Sequence, residues 1–155
     1  MPSFKAILLT TDLSENADAA VPYALELAHR FEGSIQLVHI FEDAAFYAAA
    51  ASSEGMLVDP TEWITSSLRD RGAKLDALAK KLSASGKVPV TPVLRQGHAA
   101  TEIVQAAKDL KVDCIAIATH GRTGLAHLVF GSVAERVVRM SPCPVLSVRP
   151  VEIKK

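Results

Sequence analysis

The chain has 155 residues, with 17 Lys+Arg balanced by 17 Asp+Glu. With 49% apolar and only 5% aromatic residues, it is expected to form a single globular domain over residues 1–155, lacking the basic field and the stacking platform that nucleic acid requires. No apolar run approaches the roughly 18 residues a membrane-spanning helix needs, and Met1 to Lys5 carries no hydrophobic leader, so a cytoplasmic protein is expected.

Lys5 to Thr11 is a short apolar run ending in hydroxyls, as a buried strand requires. Ser14 offers an N-cap, and Val21, Ala24, Leu25, Ala28 and Phe31 recur at helical spacing until Gly33. Ser34 to Phe41 is a second strand. Glu42 to Val58 has no clear period and reads as a long connection. Asp59-Pro60-Thr61-Glu62 then combines a capping acid, a proline at the first helical position and an acid in the first turn. The helix it opens carries Ile64, Leu68, Leu75, Leu78, Ala79 and Leu82 and ends near Gly86, with Gly72 a weak point in its middle.

Val88 to Leu94 is a third strand, placed at a sheet edge by Pro89 and Pro92. After Gly97, Ile103, Val104, Ala107 and Leu110 mark a further helix, and Asp113 to Thr119 is the most continuous apolar strand. Val133, Val137, Val138 and Met140 line a last helix, which Ser141-Pro142-Cys143-Pro144 breaks before a fifth strand, Val145 to Val148. Cys114 reads as a buried thiol and Cys143 as a more exposed one. Their spacing suits neither a CxxC redox pair nor a metal site, and no disulfide is expected.

Strands alternating with helices imply an α/β fold: an open five-stranded parallel sheet with helices on both faces. Ligands of such sheets bind beyond the carboxyl ends of the strands, which narrows the search to Thr10–Ser14, Val38–Glu42 and Ala118–Ser132. The third stretch contains Gly121 directly after a strand, and Gly131-Ser132 nine residues further on, at the start of a helix. Unpaired amides and the helix dipole favour an anion there, and Arg122, Thr123 and Ser132 add donors. Ser132-Val133-Ala134-Glu135 is equally a capping box, and Asp12 is equally a helix-start acid. A P-loop and a GxGxxG motif are both missing.

Ile7-Leu8-Leu9-Thr10-Thr11-Asp12-Leu13-Ser14-Glu15, Ser132-Val133-Ala134-Glu135-Arg136-Val137-Val138 and Cys143-Pro144-Val145-Leu146-Ser147-Val148 resemble the universal stress protein family. Its nucleotide-binding branch carries glycine, two residues, glycine, nine residues, then glycine and serine or threonine. Gly121, Gly131 and Ser132 match that pattern, while Ala118 replaces the first glycine.

The resemblance implies a Rossmann-like fold akin to the adenine nucleotide alpha hydrolases, with strand order 3-2-1-4-5. It implies ATP as the ligand, with Mg²⁺ arriving alongside it. Asp12, flanked by Thr10 and Thr11, would lie against adenosine, and Val38 to Ile40 would line the adenine slot. Gly121, Arg122, Gly131, Ser132 and Val133 would hold phosphate, with His120 in reach of phosphate or ribose. His39 lies near the adenine slot, while His29, His98 and His127 are expected at the surface. No residue is assigned catalysis, and any hydrolysis would be slow. A homodimer is implied through the last strand, which would otherwise leave an apolar edge in solvent. The alternative is a nucleotide-free interaction module of the same fold.

Overall fold

The computed structural model describes residues 3–43, 59–120 and 130–150. Five strands, β1 (Ala6–Thr10), β2 (Ser34–Phe41), β3 (Val90–Gln96), β4 (Cys114–Ala118) and β5 (Val145–Val148), form one parallel sheet in the order β3-β2-β1-β4-β5. Among the described residues the α-helices are α1 (Val21–Arg30), α2 (Pro60–Gly86), α3 (Ala99–Asp109) and α4 (Ser132–Met140). The expected connection over Glu42–Val58 falls largely outside the described residues, as do Gly121, Arg122, Thr123, Gly124 and His127. Among the described residues no helix is long and apolar enough to cross a membrane.

The core lies on both sides of the sheet because strand side chains alternate. Ile7, Leu9, Ile35 and Leu37 pack with Ala24 and Ala28 of α1 and Leu75, Ala79 and Leu82 of α2. Leu8, Val38, Ile115 and Ile117 pack instead with Ile103 and Ala107 of α3 and Ala134 and Val137 of α4. Both faces of the central strand are therefore apolar, which is why Ile7, Leu8 and Leu9 run without a polar break. Burying each such side chain stabilises the fold by about 1.5–3 kcal/mol.

Two element starts differ most from the sequence expectation, while β1 and β4 are each one residue shorter at both ends. The first helix does not start at Ser14: a 3₁₀ turn spans Glu15–Ala20, and α1 begins only at Val21. Pro22, in the first turn of α1, lacks the amide hydrogen that would continue an α-helical ladder from the preceding residues. β3 runs two residues later than expected. The Ile35 amide already donates to the Pro89 carbonyl at 2.9 Å, and strand pairing starts at Val90. β3 does lie at the sheet edge, as its prolines indicated.

Gly72 does not interrupt α2, which runs 27 residues. Its buried residues, Leu75, Ala79 and Leu82, all belong to its second half. Asp59 caps it by accepting the Thr61 amide at 2.8 Å.

Candidate functional site

The carboxyl end of β1 is held tightly. The Thr11 amide donates to the Val38 carbonyl at 2.9 Å, and Thr10 and Thr11 are each only 8% exposed. Beyond them the chain makes a turn fastened by its own side chains. Thr11 Oγ1 accepts the Leu13 amide at 3.0 Å, and Asp12 Oδ1 accepts both the Ser14 amide, at 3.0 Å, and the Ser14 hydroxyl. Leu13 sits at φ 63°, a left-handed conformation costing a non-glycine residue about 1–2 kcal/mol. Ser14 thus turns its hydroxyl back to Asp12 and makes no side-chain cap. Asp12 lies well before α1, so it is not an acid of that helix's first turn.

β4 ends beside this turn. Leu9 pairs with Ala116, the last pairing between β1 and β4, and β4 ends two residues further on, at Ala118. The Thr119 amide donates to the Val148 carbonyl at 2.8 Å, while the Thr119 carbonyl accepts the Gly131 amide at 2.7 Å. Thr119 Oγ1 and His120 Nδ1 are 3.0 Å apart. The last bond of that chain, from Gly131, seats the start of α4 directly on the end of β4. A Cβ at Gly131 would lie 2.5 Å from the Thr119 oxygen, so only glycine permits the approach. Its φ of −71° is ordinary; space, not conformation, selects the residue.

The capping box expected at Ser132 does not form. Gly131 is the N-cap, with no side-chain bond, and Ser132 is the first helical residue and exposed. Glu135 instead pairs with Arg139 at 3.6 Å, while its amide donates to the Gly131 carbonyl. The leading amides of α4, at Ser132, Val133 and Ala134, have no acceptor within the helix, as at any helix start. They stand at the carboxyl edge of the sheet next to β4, an arrangement suited to an anion.

The residues of β2 divide between the two faces. Val38 and Ile40 pack toward α3 and α4. Val38 is 1% exposed and its carbonyl is taken by Thr11, whereas Ile40 is half-buried and keeps accessible surface. His39 turns to the α2 side and is 2% exposed. Its Nδ1 lies 2.8 Å from the Thr11 carbonyl oxygen and its Nε2 3.2 Å from Arg71 Nη1. The Arg71 guanidinium also stacks over Phe41, 5.4 Å from the ring centre, and Trp63 lies against the same ring at 6.0 Å.

Periodicity alone did not identify this group. A signal was nonetheless present: Arg71 occupies a stripe position among Ile64, Leu68 and Leu75, where an apolar residue is otherwise found. His29 and His98 are exposed, as expected. Among the described residues no three His, Cys, Asp or Glu side chains gather as a metal site. Cys114 and Cys143 are both free thiols, and burial pushes the Cys114 thiol above its ordinary pKa.

An open parallel sheet in the order β3-β2-β1-β4-β5, packed with helices on both faces, defines an α/β protein of the doubly wound class. The Universal stress protein family model matches residues 3–149, and the chain belongs to that family. A universal stress protein of Thermus aquaticus is 34% identical over 146 residues, covering 94% of this chain and 99% of that protein. Universal stress protein MJ0531 of Methanocaldococcus jannaschii is 30% identical over 146 residues, covering 94% and 82%. The solved structure of MJ0577 superposes with a TM-score of 0.81 at 26% identity, covering 96% of this chain and 98% of that one. More distant solved structures share the fold. One is a universal stress protein in complex with cAMP (TM-score 0.67, 19% identity, covering 96% and 99%). Another is an Archaeoglobus fulgidus universal stress protein in complex with dAMP (TM-score 0.62, 18% identity, covering 96% and 99%).

Proposed function

We propose that this chain binds an adenine nucleotide, ATP, at the carboxyl edge between β1, β4 and α4, and acts in the cytoplasm as a regulatory protein of the stress response. The observation that carries the reading is the seating of Gly131 on the Thr119 carbonyl, which sets the open amides of α4 at the carboxyl end of β4, the strand next to β1. Asp12 and the accessible part of Ile40 would face adenosine, with Thr10 and Thr11 behind them. The α4 amides, the Ser132 hydroxyl, His120, Gly121 and Arg122 would take the phosphates, and Ala118 stands where the family pattern has glycine. The cAMP and dAMP complexes of distant relatives place adenine nucleotides within the repertoire of the fold. Mg²⁺ would come with the nucleotide, bound through its phosphates. Without a P-loop lysine, turnover is at most slow.

Homodimerisation through β5 belongs to the same reading. A recess of about 440 Å³ beside β5 is lined by Phe4, Tyr23, Leu27, Cys114, Val145 and Leu146, and Tyr23 is 54% exposed. A second copy would cover this apolar surface.

Gly131 is fully explained by its contact with Thr119, and this favours a second reading, a nucleotide-free interaction module. Purified protein, denatured and assayed for released nucleotide, decides between them, with calorimetric titration by ATP alongside. Adenine nucleotide release or a saturable ATP signal is expected. Absence of both at millimolar ATP would leave the interaction module.

A further inference from the structure

The Asp12 turn holds a strained residue, Leu13 at φ 63°. Such conformations persist only when the surroundings over-determine them. Thr11 and Asp12 supply the local fastenings. Two more come from β2, where the Val38 carbonyl accepts the Thr11 amide at 2.9 Å and His39 meets the Thr11 carbonyl at 2.8 Å. Its partners settle the tautomer. A carbonyl only accepts, so Nδ1 must carry the proton; a guanidinium only donates, so Nε2 must be bare to meet Arg71. Both ring nitrogens of a buried imidazole are thereby satisfied.

We propose that His39 is a positioning residue of the candidate nucleotide site: its neutral ring holds the Thr11 carbonyl through Nδ1–H, and Arg71 fixes the tautomer from the opposite side, so that Asp12 is presented in one geometry. The inference rests on the nucleotide reading for its consequence in binding, but the positioning of the turn can be tested without a ligand. Arg71 is itself held by its stacking on Phe41. The chain of contacts therefore runs from α2 through the ring to the turn.

Two substitutions separate the ring's nitrogens. His39→Asn offers an amide N–H close to where Nδ1 stands, and His39→Gln offers an amide oxygen close to where Nε2 stands. Both remove ring volume from the same site, so their stabilities should fall together in urea. Amide exchange at Leu13 and Ser14 is then followed by NMR in ligand-free protein. The Asn variant should stay near wild type, while the Gln variant exchanges about tenfold faster at both amides. ATP affinity should divide the same way, within about threefold of wild type for Asn and about tenfold weaker for Gln. Equal exchange in the two variants, or exchange that tracks only their global stability, would overturn the proposal. If wild type binds no adenine nucleotide, the ATP reading fails, and the exchange rates alone still decide the role of His39.

Discussion

A methyl group at position 131 would sit 2.5 Å from the Thr119 carbonyl oxygen, closer than non-bonded atoms approach. Gly131→Ala should therefore cost about 1–3 kcal/mol in urea unfolding and loosen the seat of α4, so lost ATP binding in that variant would not by itself identify a ligand contact. Ser132→Ala is the cleaner test. Its hydroxyl caps nothing and is exposed, so stability should stay within about 0.5 kcal/mol. ATP affinity measured by calorimetry should drop about three- to tenfold; an unchanged affinity would remove Ser132 from the site. The spacing of Gly121, Gly131 and Ser132 was visible in the sequence, but the division of labour was not. Whether glycine serves a ligand or a neighbouring carbonyl depends on which backbone lies opposite, and Thr119 meets Gly131 only after folding. His39 illustrates the same limit: strand alternation admits either face until α2 is docked.

The elements were legible wherever one periodicity ruled a whole segment. β2 matches its expected Ser34–Phe41 bounds, and α2 its expected start after Asp59 and end at Gly86. Misjudged boundaries lay where a single residue overrode the pattern, as Pro22 does at the start of α1. Helix ends show a related feature. Glu32, Lys87 and Lys111 take φ of 51°, 53° and 49°, so after α1, α2 and α3 the left-handed position is filled by a charged residue rather than glycine. Lys87→Gly should stabilise the protein by about 0.5–1 kcal/mol in thermal or urea unfolding. β3 is clamped to α3 by Arg95, which donates to Asp109 at 2.6 Å. Hydrogen bonds from Arg95 and Gln105 hold the Asp109 carboxyl below its ordinary range. A lowered folded-state pKa means that this contribution is present at neutral pH and is lost as the pH falls through the lowered value. Arg95→Met should move the NMR titration of Asp109 up. The stability gap from wild type should close as the pH drops below about 4.

At the scale of the molecule, the parallel pairing of all five strands collects every strand's carboxyl end on one side, which is how turns distant in sequence come to share one edge. The outer strands then face opposite surroundings. Beside β5 lie the apolar recess and the exposed Tyr23 ring. Tyr23→Glu should convert a sedimenting dimer to monomer with unchanged circular dichroism; a wild-type monomer at micromolar concentration would refute the dimer outright. In the native protein, Cys143 should react with iodoacetamide before Cys114, whose thiol is buried and pushed up.

Pro92 lies within β3 at the other margin, and proline has no amide hydrogen to offer an incoming strand. In the proposed dimer the sheet therefore uses its β5 margin, and its β3 margin is blunted. A twofold pairing through β5 uses the same patch on both partners and leaves only two β3 margins outward. In such a dimer growth would stop there, so that copies could pair without polymerising.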